Sequence, residues 1–355
     1  MRVLIAPDSF GDTLTAVEAA DAIAAGWARA RPDDELVAAP RSDGGPGFVD
    51  VLAVHGGLVH EVVPAGPLDD AVTARWLLDG DVAYVESAQA CGLHLLRADP
   101  GTALAAHSAG VGHLVAAAVD AGAGTVVVGL GGSGCTDGGR GLVAALGGTP
   151  DAAGLAAAGA RLAGVRLVAA TDVENPLLGP RGAAVVFGPQ KGADADAVTE
   201  LERRNAEWAD VLDEWCGAPV STGAGAGAAG GLGAALLALG AERRSGADVV
   251  ADVTGQDTLL RGAGVVLTGE GRFDHQSLGG KVAVALARAA RAVPVPVVVL
   301  AGQVALDGDD PDLRGLGLSG LRSVADHAGS VQLAIDDAAT QLAGLAEEVA
   351  RSWRS

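Results

Sequence analysis

The stretch Val3-Leu4-Ile5-Ala6-Pro7-Asp8-Ser9 decides how this fold is read. A short apolar run, too brief for a signal-peptide core, ends in proline and two polar residues. That is a buried strand whose end is suited to meet a ligand. Residues 15–31 follow with helical periodicity, and Thr15 with Glu18 fits a capping box. Residues 35–39 form a second strand, closing at Asp43-Gly44-Gly45. The same texture returns near the other end of the chain: a strand at 265–268, a helix from 282 and a strand at 297–301. Polar residues gathered at strand ends are the mark of an open α/β sheet, where ligands bind beyond the carboxyl ends of the strands.

Between these ends the texture differs. Residues 58–63, 71–78 and 81–87 read as strands of a meander, broken by Pro67-Leu68-Asp69-Asp70 and Asp79-Gly80. A helix is expected at 109–121, a buried strand at 125–129 and another helix from 139. Strands are expected at 167–171 and 183–187, and an amphipathic helix at 197–215. A further strand at 321–325 and a helix from 335 close the chain. The partition expected is an α/β protein: residues 1–57 with 246–355 form a doubly wound domain, and 58–245 form an inserted mixed α/β domain.

Composition bounds the function. The chain has 355 residues, 49% of them apolar, enough to build a sizeable core, with aromatics at only 3%. The core must therefore be alanine, valine and leucine. Glycine is abundant, at 54 residues, and without a collagen period it must serve turns and close backbone approaches. The net charge of −20 opposes nucleic acid and anionic membrane surfaces, so neither is expected as a partner. Residues 215–241 carry no charge, yet their glycine content suits a loop feeding a buried helix better than a membrane span. Three widely spaced cysteines, Cys91, Cys135 and Cys216, suggest no disulfide framework and fit a cytoplasmic protein.

An anionic substrate would then need local devices. Only two basic residues are lysine, Lys191 and Lys281, and both sit beside glycine. Two G-x-G-x-x-G patterns occur, Gly129-Gly131-Gly134 and Gly225-Gly227-Gly230. The first follows a strand and precedes a helix, but the acidic residue of a dinucleotide site is not at the usual distance; a plain tight turn fits equally well. No Walker A motif is present. Exposed amides at helix starts, the two lysines, and Asp8, Asp43, Asp137, Asp172, Glu270 and Asp274 together supply what phosphoryl transfer needs: donors for phosphate, and carboxylates for Mg²⁺ and the attacking hydroxyl. An aspartate after a strand can equally be a helix N-cap.

Specific motifs narrow this further. They are Ala6-Pro7-Asp8-Ser9-Phe10, Ser42-Asp43-Gly44-Gly45, Gly131-Gly132-Ser133 with Asp137-Gly138-Gly139, and Asp172-Val173-Glu174-Asn175-Pro176-Leu177-Leu178-Gly179. Phe187-Gly188-Pro189-Gln190-Lys191-Gly192, Gly227-Ala228-Ala229-Gly230-Gly231-Leu232-Gly233 and Thr268-Gly269-Glu270-Gly271-Arg272 follow, with Asp274 and Gly280-Lys281. In these motifs and their order the chain resembles the bacterial glycerate kinases that lack a P-loop. The resemblance implies a flavodoxin-like domain with a second α/β domain inserted. It also implies transfer of the γ-phosphate of ATP to D-glycerate with Mg²⁺, with 2-phosphoglycerate favoured over 3-phosphoglycerate as product.

On that resemblance Asp172, Lys191, Asp274 and Lys281 are the candidate catalytic residues, with Asp172 and Asp274 as base or metal ligand. Asp8, Ser9, Asp43, Gly44, Gly45, Asn175 and Arg272 would bind glycerate. Gly131, Gly132, Ser133, Gly134, Gly230, Gly231, Gly233 and Glu270 would face the nucleotide. The chain departs from the family pattern at Gly11 (usually lysine), Pro46, Phe48, His113 and Thr136. A lysine lost near phosphate costs about 1.5–3 kcal/mol unless an arginine substitutes. The competing readings are a dinucleotide-dependent oxidoreductase and a degenerate kinase that binds without turnover. The expected partner is a small hydroxy acid; a homodimer is compatible with the sequence.

Overall fold

The computed structural model describes residues 1–278, 282–306 and 311–353. The chain divides into two compact units, Met1–Ser42 with Asp50–His55 and Val250–Ser355, and Asp43–Val49 with Gly56–Val249.

The first unit is built on a five-stranded parallel sheet, in the order Gly320–Ser323, Val297–Ala301, Val265–Thr268, Arg2–Ile5, Glu35–Ala38. Counted along the chain that is the flavodoxin order, whose switch point lies between Arg2–Ile5 and Val265–Thr268. The central strands carry unbroken apolar runs, Val3–Ile5, Val265–Leu267 and Val297–Ala301, because both faces are covered. Val3, Ile5, Val265 and Leu267 pack on Ile23 and Trp27 of helix Ala16–Ala30 and on Leu342, Leu345 and Val349 of helix Ala338–Ser352. Leu4 and Val266, one residue out of phase, pack on the opposite layer with Leu260, Leu286 and Ala290. The capping box forms as expected: Glu18 N–H donates to Thr15 Oγ1 at 3.2 Å and Thr15 N–H to Glu18 Oε2 at 2.9 Å.

The second unit carries a six-stranded mixed sheet, in the order Leu58–Val62, Ala74–Asp79, Val82–Glu86, Thr125–Gly129, Arg166–Ala170, Glu242–Arg244. The first three strands are the antiparallel meander and the rest run parallel. Its core gathers Val126 and Val128 with Leu114, Leu142, Trp208 and Leu212, so few aromatics suffice because alanine and leucine fill most of it. Among the described residues no helix is long and apolar enough to cross a membrane. The uncharged stretch is instead short 3₁₀ turns leading into the buried helix Leu232–Ala238.

Three elements differ from the sequence reading. Ala183–Phe187, expected as a strand, is a helix, closed by Gly188 N–H on Ala184 O at 3.0 Å. Its β-branched pair Val185 and Val186 faces solvent rather than a sheet. The neighbour of Arg166–Ala170 is Glu242–Arg244, three charged residues that apolar patterning could not single out. At 321–325 the strand is Gly320–Ser323, and Val324–Ala328 is already a helix because Ser323 Oγ caps Asp326 N–H at 3.1 Å.

Candidate active site

In the second unit the parallel strands end in polar groups, and the segment Asp43–Val49 lies across those ends. Gly131 N–H donates to Gly44 O at 3.1 Å. Gly47 and Val49 N–H both donate to Glu86 Oε2, at 3.1 and 3.3 Å. Glu86 is buried and was not anticipated; its only signal is an acid closing the apolar run Val82-Ala83-Tyr84-Val85. A Cβ at Gly131 would stand 2.3 Å from Gly45 Cα, so that glycine is required by backbone touching backbone. The same holds for Gly230, whose Cβ would lie 2.0 Å from Cys135 O.

Asp172 follows the strand Arg166–Ala170. Its side chain reaches solvent, yet protein crowds the carboxyl enough that desolvation raises its pKa. The nearby charges of Asp43 and Asp248 add to the rise, and hydrogen bonds from Ser245 and the Ala247 amide oppose it. Ser245 carries no signal in the sequence that would single it out. Asp43 itself accepts from Gly45 N–H at 3.1 Å, which tightens the turn holding Gly44 and Gly45.

Lys191 lies under the loop 131–136, in the 3₁₀ turn Pro189–Lys191. It is only 3% exposed, and Nζ donates to Ser133 Oγ at 3.0 Å and Cys135 O at 2.6 Å. Burial lowers its pKa, against the pull of Cys135, Cys91 and Asp137. In the loop 131–134, Gly131 N–H is committed to Gly44 O and Gly134 N–H to Cys91 O at 2.7 Å, so any phosphate cradle falls to Gly132 and Ser133. Gly230, Gly231 and Gly233 lie where the 3₁₀ turn Ala228–Gly231 meets helix Leu232–Ala238. Asn175 turns its amide to Arg181 O at 2.7 Å, within its own loop. Asp137 is a fastener: its carboxylate accepts from Ser108 N–H and Oγ, Gly139 N–H and Gly141 N–H.

In the first unit Asp8 and Ser9 follow Arg2–Ile5, and Glu270 follows Val265–Thr268, so these residues flank the switch point. Asp8 N–H donates to Gly269 O at 2.8 Å and Gly271 N–H to Ser9 O at 3.3 Å. Glu270 is buried. Arg272, expected on the substrate carboxylate, is exposed and sits 3.4 Å from the Asp274 carboxylate. Lys281 lies outside the described residues. Among the described residues no three His, Cys, Asp or Glu side chains converge as a ready-made metal site.

Arg41 was missed altogether. Its guanidinium is 3% exposed, with Nη1 donating to Thr254 Oγ1 at 2.7 Å and, among the described residues, no partner on Nε or Nη2. Burial pushes its pKa down to about 10, a penalty of roughly 3 kcal/mol on the charged form. Arg41→Met should therefore raise unfolding stability by about 1–3 kcal/mol, because the apolar chain removes the uncompensated charge. Thr254 Oγ1 keeps its bond to Ala251 O. Urea denaturation measures this; a variant less stable than wild type would mean the charge is compensated.

The family model for the glycerate kinase family matches residues 3–354. Among relatives, a glycerate kinase of Bacillus subtilis is 38% identical over 99% of this chain and 97% of its own length. The glycerate 2-kinase of Escherichia coli K12 is 38% identical over 86% of each chain. The crystal structure of a candidate glycerate kinase 2 from Salmonella typhimurium LT2 superposes with a TM-score of 0.79 at 34% identity, covering 99% of this chain and 97% of that one. An α/β protein with these likenesses is an enzyme of the kinase class. The chain belongs to the glycerate kinase family.

Proposed function

We propose that the protein transfers the γ-phosphate of ATP to a hydroxyl of D-glycerate, giving 2-phosphoglycerate. Family membership supports glycerate as acceptor, and the observation that carries the chemistry is Asp172. A carboxyl whose proton affinity is raised by crowding protein and by the nearby charges of Asp43 and Asp248 is suited to accept the hydroxyl proton as phosphate bonds to oxygen. Lys191 with Ser133 would hold and neutralise the phosphate, aided by the Gly132 amide. Within the second unit the Asp43-Gly44-Gly45 turn remains the proposed glycerate contact.

Mg²⁺ fits the donor chemistry of this unit. Asp43 and Asp248 are hard oxygen donors whose charge already bears on Asp172, and a divalent cation would relieve that repulsion. These two would hold it together with phosphate oxygens, and the ion would neutralise charge on the transferring group. ADP release from ATP and D-glycerate should fall to background in excess EDTA and return with excess Mg²⁺. Undiminished turnover in chelator would overturn the metal assignment. The oxidoreductase alternative falls with the kinase class, and Gly131 and Gly134, two of its glycines, have their amides engaged within the protein.

A further inference from the structure

The second unit holds a cavity of about 230 Å³ whose lining shares with the phosphotransfer candidates only Asp137, which the structure shows fastening its own loop. Its walls are apolar at Leu104, Ala144, Pro150 and Leu201, and polar at His107, Thr136, Arg140 and Arg204. The two guanidinium groups are held in place by backbone carbonyls. Arg140 Nη2 donates to Arg204 O at 2.5 Å, and Arg204 Nη1 to Leu104 O at 2.9 Å. Arg140 also lies over the Trp208 ring, 5.3 Å from its centroid.

Glu200 satisfies Arg204 through Nε at 2.7 Å, but among the described residues Arg140 makes no ion pair. Asp137, the one acid in the lining, spends its carboxylate on four donors of its own loop and of Ser108. Burial lowers the pKa of Arg140, opposed by the charges of Asp137 and Glu207 and reinforced by those of Arg204 and Arg203. Thr136 is 1% exposed and among the described residues its hydroxyl has no partner. The wall thus holds two guanidinium groups fixed by backbone carbonyls and a buried hydroxyl that is unpaired among the described residues.

We propose that this cavity binds a small organic anion: a carboxylate or phosphate monoester with a short apolar body. Arg140 and Arg204 would hold the anionic group, Thr136 would complete its hydrogen bonding, and the alanine–leucine–proline wall would take the carbon chain. The volume lies below that of pockets for drug-sized ligands, so a whole nucleotide is excluded as occupant. The inference stands on the cavity and does not depend on the phosphotransfer reading.

Titration calorimetry with 2-phosphoglycolate, inorganic phosphate and ADP as separate probes tests it, with no turnover involved. 2-Phosphoglycolate should bind wild type, at least 10-fold more weakly to Arg140→Gln, and several-fold more weakly to Thr136→Val. Phosphate should follow the same order, more weakly throughout because it lacks the apolar body. ADP affinity should be the same in all three proteins. Should Arg140→Gln not fold, Arg204→Gln takes its place, and near-isosteric Thr136→Val gives the answer in either case. Equal 2-phosphoglycolate affinity in wild type and variants, or none in wild type, would overturn the proposal. So would a parallel loss of ADP, which would make the cavity part of the nucleotide's own site.

Discussion

Asp172→Asn should lower kcat by roughly 10²–10⁴-fold, the range for removing a positioned proton acceptor, while KM for glycerate changes little. The fold should not suffer. The pKa of Asp172 is raised in the folded protein, so protonated Asp172 favours folding. That contribution is full below the ordinary aspartate value and is lost as pH rises through the folded value. Ionised Asp172 therefore weighs against folding, and asparagine removes that term. Steady-state kinetics and thermal melting at pH 7 should show lost turnover with an unchanged or higher Tm. The acid limb of the wild-type kcat profile should vanish in the variant. Retained turnover would reduce Asp172 to a turn residue.

Lys191→Met should cost at least about 10²-fold in kcat, the scale of losing one electrostatic contact to a charge that grows in the transition state. The structural effect has two opposing parts. Cys135 O loses its donor, a cost of about 1–3 kcal/mol for a buried acceptor, while the desolvation of the ammonium is relieved. Tm should therefore shift by only a few degrees. Because burial depresses the lysine pKa, the unfolded chain holds more protons between the folded value and the ordinary lysine value. Wild type should thus gain stability as pH rises through that window, and the Met variant should not. A variant that melts with wild-type activity per folded molecule would make Lys191 a structural residue.

Much of this was legible in the sequence, for reasons that differ from part to part. The parallel strands of the first unit are apolar at consecutive positions because both faces are covered, so Val3-Leu4-Ile5 and Val297–Ala301 could be read directly. The motif Phe187-Gly188-Pro189-Gln190-Lys191-Gly192 marked Lys191, and its rarity as a lysine reinforced the signal. Other features depend on contacts that cross the chain. Ala183–Phe187 has the composition of a strand, but its helix is decided by where Val185 and Val186 point. Several glycines read as phosphate donors are dictated by packing, as the Gly131–Gly45 and Gly230–Cys135 approaches show. Arg41 and Glu86 look like ordinary charges in sequence; only burial sets them apart. The pairing of Arg272 with Asp274, two positions along, is likewise visible only in the structure.

The central claim is phosphoryl transfer from ATP to D-glycerate, and phosphorus NMR of the reaction mixture tests it most directly. With ATP, Mg²⁺ and D-glycerate, the γ-phosphate signal should decline as ADP and a phosphate monoester resonance grow in equal measure. Coupling to a single carbon-bound proton would mark 2-phosphoglycerate, and coupling to a methylene would mark the 3-isomer. Inorganic phosphate alone, or ATP left intact while glycerate and nucleotide both bind, would contradict the account.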